Sequence, residues 1–91
     1  MPRFFFHIHD WMGFTEDEEG VELADLGTAG DRAVAGARSI ISDEVLEGRL
    51  DLRGRIDVAD ERGAVLLTVP FRETVRMIEG DIGDSGHGAA P

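Results

Sequence analysis

The spacing of apolar positions shifts from every second residue to every third or fourth and back again along this chain, and each shift marks an element. Phe4-Phe5-Phe6-His7-Ile8-His9 contains no Gly or Pro and reads as a strand, with Phe4, Phe6 and Ile8 on one face and Phe5, His7 and His9 on the other. Trp11-Met12-Gly13-Phe14 follows as a turn, and Val21-Glu22-Leu23 as a short second strand antiparallel to the first. From 26 to 47 the stripe Leu26, Ala29, Ala33, Ala37, Ile40, Ile41 and Val45 predicts one long helix. Asp25 suits its N-cap, and Gly48 suits the left-handed position just past its end. The small residues in the first half of the stripe would let the helix lie close against a sheet.

Gly54-Arg55-Ile56-Asp57-Val58-Ala59 alternates polar and apolar, Asp60-Glu61-Arg62-Gly63 is a turn, and Ala64 to Val69 returns as a Val- and Leu-rich strand, so the pair reads as a hairpin. Pro70 suits the first turn of a helix, and Phe71, Val75 and Ile78 recur at helical spacing, which predicts a short C-terminal helix. The expected division is a single domain over 1–78 and a flexible Gly- and Asp-rich tail over 79–91 that has almost nothing to bury. The order β-β-α-β-β, plus the short C-terminal helix, predicts a small two-layer α+β domain. Its antiparallel sheet would have three to four strands, with the long helix packed on one face.

The opposite sheet face is expected to carry Phe5, His7, His9, Arg55 and Asp57, joined by Leu66 and Thr68 if the last strand turns Val65, Leu67 and Val69 inward. A face so apolar in places suits a homodimer, formed through that face or through an exposed edge strand. Trp11, Met12 and Phe14 are either a satellite of the core or a docking surface at a loop tip. The candidate interaction surface is therefore Phe5, His7, His9, Trp11 and Phe14.

Composition narrows the classes of function. Ninety-one residues, 42 % of them apolar and nine of those Ala, fit one domain with a modest core. A formal charge of -10 argues against nucleic acid or an anionic membrane as partner, since phosphate binding needs clustered cations. No apolar run approaches the roughly 18 residues of a membrane span, and the N-terminus does not read as a signal peptide, so a cytoplasmic protein is expected. The absence of Cys removes disulfides and thiol catalysis. Glu16, Asp17, Glu18, Glu19, Glu22, Asp25 and Asp31 fall in one stretch without a base, which reads as a solvated loop or as an acidic patch for a basic partner.

The most suggestive local pattern is His7-X-His9-Asp10. An i, i+2 pair on a strand points both imidazoles to one side, so His7 and His9, with Asp10, are a candidate metal site; the plainer reading is two histidines hydrogen-bonded to carboxylates across the sheet. Ser39, Ser42 and Ser85 lie in no nucleophile elbow, and Gly27-Thr28-Ala29-Gly30 offers neither the Lys nor the third Gly of a phosphate-cradling loop. No enzyme activity and no cofactor are expected.

Met-Pro-Arg-Phe-Phe-Phe-His-Ile-His-Asp, Asp17-Glu18-Glu19-Gly20-Val21-Glu22-Leu23-Ala24-Asp25-Leu26 leading into an Ala-rich helix, and Gly63-Ala64-Val65-Leu66-Leu67-Thr68-Val69-Pro70-Phe71 together resemble the bacterial family of domain of unknown function 6894, over about residues 1 to 78. That resemblance implies a small cytoplasmic bacterial domain and supplies no catalytic residue. Residues 4 to 33 are more loosely similar to HicB-type antitoxins, although the chain lacks their longer strand meander and any appended DNA-binding unit. The function expected is a non-enzymatic protein-interaction or regulatory module that self-associates. The alternatives are a metal-binding protein using His7 and His9, and an antitoxin-like partner of a small basic toxin.

Overall fold

A computed structural model describes residues 1–81, and the tail expected over 79–91 lies outside the described residues from position 82 onward. The strands are β1 (Arg3–Asp10), β2 (Gly13–Thr15), β3 (Val21–Glu22), β4 (Arg55–Ala59) and β5 (Val65–Pro70), with helix α1 (Leu26–Leu46) between β3 and β4. They form one antiparallel sheet in the order β2-β1-β4-β5, with β3 also paired to β1. The α+β architecture is as expected, and the observed order keeps the expected β-β-α-β-β with one further strand, β2, inserted before β3. The sheet has five strands instead of three or four because Gly13 and Phe14, expected in a turn, pair with Asp10 and His9, and Thr15 pairs with Ile8. The reversal needs only Trp11 and Met12, helped by the Asp10 Oδ1 that accepts the Met12 N–H at 2.9 Å.

Helix α1 begins and ends where its capping residues place it. The Asp25 carboxylate accepts the Thr28 N–H at 2.8 Å, and Gly48 takes φ +89° beyond the C-terminus. Its buried stripe of Ala29, Ala33, Ala37 and Ile41 packs with Phe4, Ile56, Val58, Val69 and Phe71, which form the core. The alanines bring the helix so close that a Cβ on Gly30 would lie 3.1 Å from Leu67. A helix about 10 Å across cannot cover four strands spaced about 4.8 Å apart. It lies over β4 and β5, and the helix-side residues Phe6 and Ile8 of β1 line an apolar groove of about 440 Å³ with Val21, Gly36 and Ile40.

Two expectations fail near the C-terminus for identifiable reasons. A β-bulge in β5 pairs Val58 with Leu67 but Ala59 with Val65, so one extra residue enters the strand and the alternation reverses before it. Val65 therefore shares the face of Ala59, whereas Leu66, expected on that face, lines a hollow with Phe4 and Leu26 on the helix side. The predicted C-terminal helix is a single 3-10 turn, Phe71–Glu73. Thr74 ends it: its backbone N–H and its hydroxyl both donate to the Phe71 carbonyl, and its own carbonyl accepts from Arg38 Nε at 2.7 Å. Val75 still packs on the core, but Ile78 is exposed.

Candidate functional site

The strand period of two commits Arg3, Phe5, His7 and His9 to the sheet face opposite α1. Register then assembles the rest of that face in rows. His9 stands between Phe14 and Arg55, His7 pairs with Asp57 and Asp57 with Thr68, and Phe5 pairs with Ala59 and Ala59 with Val65. Helix α1 packs on the other face; on this one Phe14 is exposed, Phe5, His7 and His9 are half-buried, and Asp57 and Ala59 are buried.

The aromatic groups on this face form one connected row. Phe5 stacks on His7 with ring centroids 6.5 Å apart, His7 meets Phe14 at 5.8 Å, and Phe14 meets His9 at 4.6 Å. Phe14 is 57 % exposed although two imidazoles flank it. Of the five residues expected on an interaction surface, Phe5, His7, His9 and Phe14 are thus brought together. Trp11 stands beyond His9 and outside the row, where its indole N–H donates to Glu44 Oε1 of α1 at 3.1 Å and the Arg49 guanidinium lies 4.1 Å over the ring, itself paired with Glu44.

Asp57 is buried in the middle of the face by its own partners. Thr68 Oγ1 donates to its Oδ1 at 2.9 Å, Arg55 Nε reaches the same oxygen at 3.3 Å, and His9 Nε2 lies 3.3 Å from Oδ2. His7 Nδ1 accepts the Asp17 backbone N–H at 3.1 Å, so that nitrogen carries no proton in this arrangement. Asp10, by alternation, lies on the other side of the strand from both histidines, and its carboxylate holds the β1–β2 turn. Among the described residues, no group of three or more His, Asp or Glu is placed to hold a metal ion.

Asp17 is the residue that sequence reasoning missed, since it looked like one acid of a solvated run. Strands β2 and β3 lie along the same edge of β1 with the loop 16–20 between them, and in that gap Asp17 Oδ2 accepts the Phe6 N–H at 3.0 Å. Its Oδ1 accepts from Glu19 N and Gly20 N. Burial alone would push this carboxyl up, but the Phe6, Gly20 and Glu19 N–H groups that it accepts hold it below its ordinary value. The one signal in the sequence was Gly20 three residues later. It sits at φ +70°, where an added Cβ would lie 2.9 Å from the Phe4 carbonyl.

The face is charged at its two ends. Around Phe5 and His7, the loop 16–20 and the β4–β5 turn contribute Glu16, Asp17, Glu18, Asp60 and Glu61 to one concavity of about 320 Å³. Beyond His9, Arg53 and Arg55 line another of about 400 Å³ with Asp10 and Trp11. The Arg53 side chain and backbone N–H hold Asp51 down to about 2, so this ion pair persists into acid.

Residues 3–72 match the family described as Domain of unknown function (DUF6894), and the chain belongs to that family. The looser likeness of residues 4 to 33 to HicB-type antitoxins is not shown by this match. No curated protein and no solved structure is significantly similar to the chain. Among the described residues, no helix is long and apolar enough to cross a membrane.

Proposed function

We propose that this member of the DUF6894 family is a non-enzymatic interaction or regulatory module that self-associates through the open face of its sheet. The observation that carries the reading is the connected row Phe5, His7, Phe14, His9 on the sheet face opposite α1, with Phe14 57 % exposed at its centre. Aromatic side chains supply large, rigid contact area and concentrate at interface centres. The two imidazoles serve the fold, since His7 accepts from the Asp17 backbone and His9 leans on Asp57. These bonds stiffen the contact surface.

Sedimentation velocity over a wide range of concentration tests the reading. The expected result is a concentration-dependent dimer that Phe14→Ser shifts toward monomer while the circular dichroism spectrum is kept. A chain that stays strictly monomeric at the highest concentration, and captures no protein partner, overturns it.

A further inference from the structure

The charges at the two ends of the open face are of opposite sign where they meet solvent. At the Phe5 end, Arg3 pairs with Glu22 at 3.1 Å and Arg62 with Asp60 at 3.8 Å, and although the Arg62 side chain is 90 % exposed, Glu16, Glu18 and Glu61 have no ion-pair partner among the described residues, so outward carboxylates outnumber the outward guanidinium. At the His9 end the cations lie outermost. The Arg53 and Arg55 side chains are 86 % and 48 % exposed, whereas their partners Asp51 and Asp57 are only 13 % and 12 % exposed. An approaching surface therefore meets an excess of carboxylates at one end and, at the other, the outward Arg53 and Arg55 guanidinium groups beside Asp10. Phe5 and His9 are four strand residues apart, about 13 Å, which exceeds the screening length of about 8 Å at physiological salt. Each end is accordingly felt separately.

Two copies stacked face to face by a two-fold operation need an axis lying in the plane of contact. An axis along the strands would lay the Glu end on the Glu end and guanidinium on guanidinium, an arrangement that like-charge repulsion disfavours. An axis across the strands lays Glu16, Glu18 and Glu61 of each copy over Arg53 and Arg55 of the other, twice over. The row Phe5, His7, Phe14, His9 then meets its own image between the two charged contacts.

We propose that the occupant of the open face is a second copy of this chain turned about an axis across the strands, so that the carboxylate end of each copy meets the Arg53 and Arg55 end of the other. The inference rests on the self-association reading above and specifies its geometry. A charge swap tests it. Variant one carries Arg53→Glu and Arg55→Glu, and variant two carries Glu16→Arg, Glu18→Arg and Glu61→Arg. Each alone should dimerise roughly tenfold more weakly than the unaltered chain, because it becomes like-charged at both ends. An equimolar mixture should regain dimers, because both contacts are again between opposite charges. Arg53→Glu mixed with Glu61→Arg repeats the test without touching the Asp57 cluster, should Arg55→Glu loosen the fold. Variants that each dimerise as the unaltered chain does, or a mixture no tighter than its components, overturn the cross-strand geometry while leaving self-association standing. An unaltered chain that is monomeric throughout overturns both.

Discussion

The Asp17 carboxylate accepts the backbone N–H of Phe6 at 3.0 Å and so stands in for a strand where the edge of the sheet is interrupted. Without it, one ladder donor of β1 would be left unpaired between β2 and β3. The same carboxylate orders the acidic loop through Glu19 and Gly20, and the loop in turn supplies one charged end of the open face.

Replacing Asp17 by Ala is expected to cost about 1–3 kcal/mol in chemical denaturation, because a partly buried donor loses its acceptor. The pH dependence has a definite sign. The folded carboxyl titrates lower than its unfolded counterpart, so its contribution is complete above the ordinary Asp value of about 3.9 and is lost as pH falls through the depressed value. The Asp17→Ala variant should show a shallower loss of stability in that acid range. An unchanged acid limb would mean that other carboxylates govern it.

Gly54 and Gly36 should respond in opposite directions to Ala. A Cβ at Gly54 would lie 2.7 Å from both the His9 carbonyl oxygen and the Phe71 ring, so Gly54→Ala should lose about 1–3 kcal/mol and loosen the junction of β1 with the 3-10 turn. At Gly36 the added methyl would make an ordinary 3.7 Å contact with Ile56 within the helix, and Gly36→Ala should gain up to about 1 kcal/mol. Paired thermal melts would check the contrast.

Ile41→Ala should cost about 2–5 kcal/mol, since Ile41 is the bulky member of a stripe otherwise made of Ala and its removal leaves a cavity. In a domain of this size that loss is a large share of the whole stability. Denaturant unfolding with an unchanged m-value would attribute the effect to the folded core.

Trp11 is the sole tryptophan, so its fluorescence reports on the clamp between the β1–β2 turn and α1. Glu44→Ala removes the indole acceptor and the anchor of Arg49, and the emission should shift to the red with a stability loss of at most about 1 kcal/mol. An unshifted spectrum would show that packing alone holds the ring.

Local pattern sufficed wherever one element's own period decides the outcome. The stripe of Ala29, Ala33, Ala37 and Ile41 defined α1 and its buried side, Asp25 and Gly48 defined its ends, and alternation placed Phe5, His7 and His9 together on one face. What tertiary structure alone decided depends on partners distant in sequence. Phe14 became a strand residue because β1 offered an unpaired edge, and Asp17 acquired its role from the gap that edge left open. Val65 changed face because a bulge absorbed Leu66, and Thr74 cut a helix to one turn by capping Phe71 while Arg38 held its own carbonyl. Trp11 was bound outside the aromatic row by Glu44, thirty-three residues away. Periodicity records the side chains an element must bury, whereas pairing, bulges and capping bonds form only when another segment arrives, so the helix and the first face were legible in the chain and the edge, the bulge and the clamp were not.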